Sequence, residues 1–212
     1  MTKSERIAKK ICQEIKVWKK DHAKLVVAIE GYAGSGKSTI GDFIARHNTD
    51  VLSIHLDDFI QHLKVRKHLI EKSRDKPKIF EYHWYRYGDI EKLIRAFLQG
   101  KKSISFKTYD YNKNNFSPKK IFDLSKKILV IDGIFLLHPK HLITKFVDKN
   151  IYLDTDFFKA DKKRIAREKK RWGKNYLPEN HPDNWVKYFK SAYKTYAKKY
   201  SLANRSDLVF KV

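Results

Sequence analysis

The sequence contains few of the features that mark a secreted or membrane protein. Its 212 residues include one cysteine, Cys12, so no disulfide can form within the chain, which is typical of a reducing compartment. No apolar run approaches the roughly 20 residues that a membrane helix needs, and the charged N-terminus lacks the apolar segment of a secretion signal. We therefore expect a cytoplasmic protein with no membrane partner.

Acidic residues are scarce relative to basic ones. Lys and Arg total 47 against 24 Asp and Glu, which gives a formal net charge of +23. Such a charge suits a polyanionic partner such as nucleic acid. The lysines are nevertheless spread along the whole chain, which is typical of solvated helix faces. The charge therefore leaves a nucleic-acid partner open without favouring it.

Short apolar segments alternate with amphipathic ones. Apolar residues make up 42% of the chain and aromatic residues 14%, which is enough to build a core in one domain. Continuous apolar runs suit strands buried on both faces of a parallel sheet, and strands alternating with helices favour an α/β fold. The predicted strands are 24–30, 51–56, 128–132, 150–154 and 207–211, with an exposed or edge strand at 103–111, and the predicted helices include 4–20, 37–47, 157–171 and 184–200.

The most specific motif follows the first strand. Residues 31–38 read Gly-Tyr-Ala-Gly-Ser-Gly-Lys-Ser and lead into a predicted helix. Glycines permit positive φ and close backbone approach, so the N–H groups of this loop and the helix N-terminus can face phosphate oxygens. Lys37 would reach the β- and γ-phosphates, and the Ser38 hydroxyl would bind Mg²⁺. The motif predicts an ATP-binding phosphotransferase whose nucleotide site contains Gly31, Tyr32, Ala33, Gly34, Ser35, Gly36, Lys37, Ser38 and Thr39.

Acidic residues follow two other predicted strands. Asp132 ends the strand 128–132, where it would hold Mg²⁺, although an aspartate before a glycine is also common in turns. Asp57 and Asp58 end the strand 51–56. Because the carboxyl ends of parallel strands border the ligand crevice, one of these acids could accept a proton from an attacking hydroxyl or bind Mg²⁺. The alternative is that Asp58 caps a helix beginning at residue 59.

Basic residues recur along the predicted helix 157–171. Arg164, Arg167 and Arg171 are three and four residues apart, so a helix places them on one face. Such a face over a phosphate site would stabilise charge on the transferred phosphoryl group. A solvated basic helix is an equally good interpretation of the spacing.

The order of these motifs resembles the uridine kinase and phosphoribulokinase-like P-loop kinases, a group that includes nicotinamide riboside kinases. The resemblance extends over residues 24–212, and it rests on the segments 31–39, 57–59, 109–111, 131–134, 152–156 and 164–168. It implies a P-loop NTPase fold of three α/β/α layers, with a mostly parallel five-stranded sheet in the order 2-3-1-4-5. We expect a single domain over 1–212. The resemblance implies an acceptor-side insert at 60–111 and a helical lid at 157–182, and the apolar spacing of residues 4–20 adds an N-terminal helix at 1–22.

The resemblance also assigns roles. It implies that Asp57 is the general base, that Lys37, Arg164 and Arg167 take part in catalysis, that Arg171 contacts the nucleotide, and that Asp132 joins Ser38 at Mg²⁺. The acceptor would contact Asp58, Tyr82, His83, Tyr109 and Asp110, and Trp84 is a further aromatic residue that could stack on a flat ring.

The implied reaction moves the γ-phosphoryl group of ATP to a hydroxyl of a small metabolite, a nucleoside first of all. Residues 112–115 read Asn-Lys-Asn-Asn, where uridine kinases carry a histidine and an arginine, and this difference leaves the acceptor open. The alternatives are a nucleic-acid-directed enzyme such as a polynucleotide kinase, or an ATPase or GTPase without a small-molecule acceptor.

Overall fold

A parallel sheet of five strands forms the centre of the molecule. The computed structural model describes all residues, 1–212. In chain order the elements are α1 (Lys3–Trp18), β1 (Leu25–Gly31), α2 (Lys37–His47), β2 (Val51–His55), α3 (Leu63–Lys72), α4 (Lys76–Tyr82), α5 (Tyr87–Leu98), β3 (Ser103–Asp110), β4 (Asn115–Asp123), β5 (Ile128–Gly133), β6 (Lys149–Asp154), α6 (Phe157–Trp172), α7 (Val186–Tyr200) and β7 (Leu208–Lys211).

The strands of the central sheet lie in the order β2-β5-β1-β6-β7, and every neighbouring pair is parallel. Strands β3 and β4 are not part of this sheet. If the five strands of the central sheet are numbered 1 to 5 along the chain, their order in the sheet is 2-3-1-4-5, as predicted. All residues of β1 and β5 are buried, because helices cover both faces of the sheet, as their continuous apolar sequences predict. The α/β prediction is confirmed.

One face of the sheet is covered by α1 and α2. Three isoleucines of α1, namely Ile7, Ile11 and Ile15, are buried at four-residue spacing and belong to a core cluster that includes β1, β5 and α2. The Thr2 hydroxyl accepts a hydrogen bond from the N–H of Glu5, whose carboxylate accepts one from the N–H of Thr2. This reciprocal capping fixes where α1 begins.

The opposite face carries a larger core. Helix α5 buries Leu93, Ile94 and Phe97, and α7 buries Tyr193 and Tyr196. These side chains belong to one cluster with residues of α4 and with the segment that follows β5. The segment between β2 and α5 is therefore anchored to the domain core.

The predicted strand 103–111 forms, but it pairs with a strand that the sequence did not reveal. Strand β3 lies antiparallel to β4, and the two make a separate hairpin. Most residues of β4 are exposed, so its sequence has no continuous apolar run. The hairpin extends beyond the predicted insert 60–111 to Asp123.

No helix of the structure has both the length and the apolar composition needed to cross a membrane.

Replacing Ile11 by alanine should lower the free energy of unfolding by about 2–5 kcal/mol, because it removes buried methyl groups and leaves a cavity. Ile11 is fully buried, and urea denaturation followed by circular dichroism measures the change. The matched control is Val17→Ala in the same helix, since Val17 is 56% exposed and its loss should change the free energy by less than about 0.5 kcal/mol. Equal effects of the two substitutions would contradict the packing of α1 described above.

Candidate active site

The glycine-rich loop between β1 and α2 forms a cleft. Gly34 and Gly36 have φ angles of +88° and +94°, a region that favours glycine. A β-carbon at Gly34 would also clash with the carbonyl oxygen of Ala160 in α6. Six of the predicted nucleotide-binding residues line the cleft, namely Ala33, Gly34, Gly36, Lys37, Ser38 and Thr39.

Three of the nine loop residues predicted to bind the nucleotide do not line this cleft. Gly31 ends the buried strand β1, and Ser35 is 5% exposed. Tyr32 is 1% exposed, and its hydroxyl donates to Asp161 in α6 over 3.0 Å. The Tyr32 ring stacks on Phe189 of α7 with 5.4 Å between ring centroids. This side chain attaches the loop to α6 and α7 instead of pointing at the nucleotide.

Lys37 lies inside the cleft wall. It is 8% exposed, and its ammonium group donates to the Tyr32 carbonyl over 3.0 Å. Burial lowers the pKa of Lys37, and the carboxylates of Asp132, Glu30 and Asp57 oppose that change. The ammonium group is therefore held near three carboxylates, in a position to meet the charge of a nucleotide phosphate.

Asp132 lies beside Ser38, as the predicted metal site requires. The Ser38 hydroxyl donates to Asp132 Oδ1 over 2.9 Å. No group of three or more His, Cys, Asp or Glu side chains is placed to hold a metal. This donor set suits Mg²⁺, which takes a few protein oxygens and completes its shell with phosphate and water.

His55 is a site residue that the sequence analysis missed. Its Nδ1 lies 2.5 Å from Asp132 Oδ2, and its Nε2 lies 3.1 Å from Asp42 Oδ1. The hydrogen bond with Asp132 raises the pKa of His55 to about 9, so the ring is an imidazolium at neutral pH. The predicted sheet order placed the strand 51–56 beside the strand 128–132, but only the observed register sets His55 opposite Asp132.

Asp57 lies just beyond β2, in a short 3₁₀ turn over Leu56–Phe59. The buried Tyr85 hydroxyl donates to Asp57 Oδ1 over 3.2 Å. Desolvation by the surrounding protein raises the pKa of the Asp57 carboxyl, and the positive charge of Lys37 opposes this rise. Asp57 is exposed to the cavity, and the solvent there weakens the effect of burial. Tyr85 thus orients a carboxylate that remains open to a ligand.

Asp58 does not cap a helix, because α3 begins at Leu63 with His62 as its N-cap. Its carboxylate instead accepts a hydrogen bond from Lys120 of the hairpin over 2.8 Å, which fixes the hairpin to the turn after β2.

A larger cavity of about 490 Å³ adjoins the phosphate cleft. The two share a short stretch of wall. The shared residues are Ala33, Ser38, Asp57, Ile134 and Arg167. A group bound in the larger cavity can therefore reach the phosphate end of the cleft beside Asp57 and Arg167.

The three predicted arginines of α6 have different surroundings. The guanidinium of Arg164 is 3% exposed and pairs with Asp161, Glu168 and Glu179. Its donors are occupied by these carboxylates, so the geometry favours a structural role over the predicted contact with phosphate. Arg167 lies where the cleft and the cavity meet and forms no ion pair with the protein.

Arg171 lines the larger cavity instead of the phosphate cleft, because it lies one helical turn beyond Arg167. Its guanidinium stands 4.9 Å from the centre of the Tyr111 ring. The predicted contact between Arg171 and the nucleotide is therefore not supported by this geometry.

Among the predicted acceptor residues, Asp58 and Tyr109 line the larger cavity, as does Trp84. Tyr82 and His83 do not line it. Tyr82 is the last residue of the short helix α4, and its hydroxyl lies 3.3 Å from His138 Nε2. His83 follows the helix and is exposed.

Asp110 does not line the cavity either. Its carboxylate accepts the N–H groups of Asn112 and Lys113 in the hairpin turn, which is a turn-stabilising role typical of aspartate.

The sequence analysis missed several residues of the cavity wall. Arg66 of α3, Tyr85 before α5, Tyr111 of the hairpin and Trp185 before α7 all line it. They come from separate parts of the chain, so only the dense run of aromatic residues around Tyr85 gave a local signal.

Glu30 was also missed by the sequence analysis, and its side chain supports the glycine-rich loop. It is fully buried and accepts hydrogen bonds from the N–H groups of Gly31 and Leu136 and from the hydroxyls of Tyr193 and Tyr196. Burial raises the pKa of Glu30 to about 7, and Lys37 opposes that rise. The side chain connects the start of the loop to α7 and to the segment after β5.

Comparison with known proteins gives a consistent result. The sequence model of the phosphoribulokinase / uridine kinase family matches residues 26–212, which leaves out α1. The uridine kinase of Staphylococcus aureus (strain JH9) is 29% identical over 160 residues, 72% of each chain.

Two solved structures share the fold at lower identity. A possible uridine kinase from Bacillus stearothermophilus has a TM-score of 0.65 and 20% identity, with 95% of this chain and 99% of that chain covered. D-glycerate 3-kinase from Cryptococcus neoformans has a TM-score of 0.66 and 12% identity, with 89% and 87% covered.

The matched region includes the glycine-rich loop, Asp57, Asp132 and Arg167, which are the residues that the structure brings together at the cleft. This chain belongs to the phosphoribulokinase / uridine kinase family, and it is an ATP-dependent kinase that transfers phosphate to a small metabolite.

Proposed function

We propose that this kinase transfers the γ-phosphoryl group of ATP to a hydroxyl group of a nucleoside or of a metabolite with a similar flat ring. The observation that carries the proposal is the junction of the phosphate cleft with the larger cavity at Asp57 and Arg167. A hydroxyl presented from the cavity would meet a terminal phosphate held in the cleft at this point.

The cavity wall supports a ring-bearing acceptor. Trp84, Tyr111 and Trp185 are among its lining residues, and aromatic side chains in such sites stack on flat ligands. The volume of about 490 Å³ falls in the range of small-molecule sites, whereas a nucleic-acid strand needs an extended groove. The Staphylococcus aureus relative is named a uridine kinase, which also favours a nucleoside.

The proposed reaction is a single displacement at phosphorus. The acceptor oxygen forms a bond to the γ-phosphorus as the bond to the β,γ-bridging oxygen breaks, and ADP leaves. The Asp57 carboxylate accepts the proton of the hydroxyl, and the Tyr85 hydroxyl keeps that carboxylate in place. Lys37 and Arg167 stabilise the negative charge on the transferred group.

Ser38 and Asp132 would hold Mg²⁺, since their oxygens already lie 2.9 Å apart. When bound, Mg²⁺ neutralises charge on the β- and γ-phosphates. The His55 imidazolium, paired with Asp132 and Asp42, would fix the orientation of the Asp132 carboxylate toward Ser38.

Replacing Lys37 by alanine should reduce kcat by about 10²–10³-fold, because a preorganised positive group is lost from the phosphate cleft. The rate of ADP formation in a coupled assay measures this effect, and circular dichroism should show an unchanged fold. The control is Lys10→Ala, which removes an exposed lysine of α1 and should leave kcat within about twofold. An active Lys37→Ala enzyme would contradict the role of the cleft.

Replacing Asp57 by asparagine should lower kcat by about 10²–10⁴-fold, the usual contribution of a general base. The Kd for ATP, measured by isothermal titration, should change by less than about threefold, because Asp57 lies at the acceptor side of the cleft. The neighbouring substitution Asp58→Asn should affect KM more than kcat, since Asp58 pairs with Lys120 and lies in the cavity wall.

The pH profile separates the base from a structural carboxylate. The kcat/KM of the wild type should fall as the pH drops through the raised pKa of Asp57, because the protonated carboxyl cannot accept the hydroxyl proton. This acid limb should be absent in Asp57→Asn. An unchanged kcat in that variant would refute the assignment of Asp57.

A screen of acceptors tests the proposed substrate class directly. ATP consumption should rise with at least one nucleoside above the level seen with glycerol, pantothenate or a 5′-hydroxyl oligonucleotide. A response confined to the oligonucleotide would overturn the small-ring proposal in favour of a nucleic-acid-directed enzyme. A response confined to pantothenate would show that the acceptor has no ring.

A further inference from the structure

Arg66 of α3 is a buried cation with no counter-ion. It is 7% exposed, and its guanidinium lies between two aromatic rings, 4.7 Å from the centre of Trp84 and 4.9 Å from that of Tyr109. The other buried arginine of the site, Arg164, pairs with three carboxylates. Arg66 forms no such pair, although it lies in the wall of the acceptor cavity.

Neutral groups hold part of the Arg66 guanidinium in place. Its Nε donates to the Gln61 carbonyl over 2.9 Å, and its Nη2 donates to the Tyr109 hydroxyl over 2.5 Å. A longer contact of 3.5 Å joins Nη2 to Asn114. Nη1 has no hydrogen-bond partner in the protein, and this atom is not fully buried. The Nη1 edge is therefore accessible to a ligand in the cavity.

A second unpaired cation lies in the same part of the cavity. Arg171 stands over the Tyr111 ring at 4.9 Å, and Tyr111 contacts Tyr109 edge to face at 5.2 Å. Tyr109 in turn holds Arg66. Neither arginine has a carboxylate partner, whereas the Asp58 and Glu168 carboxylates of the cavity wall are paired with Lys120 and Arg164. Asp57 is the one carboxylate of the cavity wall without an ion-pair partner, against the unpaired guanidinium groups of Arg66, Arg167 and Arg171, so the wall has an excess of positive charge.

An unpaired buried charge costs free energy, and the cost is recovered when a ligand supplies the opposite charge. The free Nη1 can donate to an oxygen of a carboxylate or phosphate, and such a charge-assisted hydrogen bond is stronger than one to a neutral carbonyl. We propose, on the basis of the proposed function, that the acceptor carries an anionic group and that Arg66 binds this group, with Arg171 close by. The acceptor then has its reactive hydroxyl at Asp57 and its carboxylate or phosphate at Arg66.

The test uses three probes that share one ring and a free 5′-hydroxyl. Uridine is neutral, orotidine adds a carboxylate on the ring, and uridine 3′-phosphate adds a phosphate on the sugar. Binding to the full chain is followed by the fluorescence of the three tryptophans that line the cavity, Trp84, Trp172 and Trp185. A saturating non-hydrolysable ATP analogue with Mg²⁺ keeps the probes out of the phosphate cleft, and the ionic strength is constant.

At least one acidic probe should bind about 10- to 100-fold more tightly than uridine, as expected for hydrogen bonds to a charged group. A preference for orotidine would identify a carboxylate, and a preference for uridine 3′-phosphate would identify a phosphate. Arg66→Met should abolish the preference, while Arg66→Lys should keep part of it, because the charge remains and the planar fork is lost. Circular dichroism and ATP-analogue affinity show whether each variant is folded.

The matched control is Arg95→Met. Arg95 also stacks on an aromatic ring, 4.5 Å from the centre of Phe146, but it lies outside the cavity, so its loss should leave the preference unchanged. Binding of uridine as tight as that of both acidic probes would overturn the inference, and so would a failure of both acidic probes to bind. An equal loss of all three probes in folded Arg66→Met would overturn it as well.

Turnover separates this inference from the proposed function. If the chain prefers an acidic probe through Arg66 but forms no ADP with any acceptor, the proposed phosphotransfer is wrong and the anion site stands. If the chain phosphorylates uridine as efficiently as the acidic probes, the proposed phosphotransfer stands and the anion site is wrong.

Discussion

Parallel pairing of β1 with β5, and of β5 with β2, is the constraint on which the site depends. All three strands end at the same edge of the sheet, so the glycine-rich loop, Asp132 and the turn containing Asp57 meet there although they are far apart in the sequence. The register also places His55 opposite Asp132. The apolar residues of β1 and β5 are buried on both faces, and this burial holds the charged groups at the edge with little freedom.

Charge within the site is divided between structure and chemistry. Arg164 is central in the sequence motif, but its guanidinium forms ion pairs with Asp161, Glu168 and Glu179. This network fixes α6 against the loop. Arg167 and Arg66 have no such partners. Arg167 lies where the phosphate cleft meets the larger cavity, and Arg66 lines the larger cavity. The paired cation stabilises the fold and the unpaired cations remain for ligands. The net charge of the whole chain, +23, could not have revealed this division.

The sequence predicted most where the signal was local. The glycine-rich loop, the acids at the ends of β2 and β5 and the buried strands were all found from short segments, and the sheet order followed from the family resemblance. The sequence analysis predicted Tyr82 as an acceptor residue, but the structure places Tyr85 in the cavity wall. The direction in which each of these tyrosines points depends on the packing of α4, which the local sequence does not give. Strand β4 was missed because its exposed residues have no apolar pattern, and the partners of Arg66 come from segments up to 48 residues away.

The most direct test of the account is a crystal structure of the enzyme with Mg²⁺ and a non-hydrolysable ATP analogue. The account predicts that the γ-phosphate lies within hydrogen-bond distance of Lys37, that the metal contacts Ser38, and that Asp57 faces the γ-phosphate from the acceptor cavity. An analogue bound elsewhere, or one whose γ-phosphate points away from Asp57 and Arg167, would contradict it.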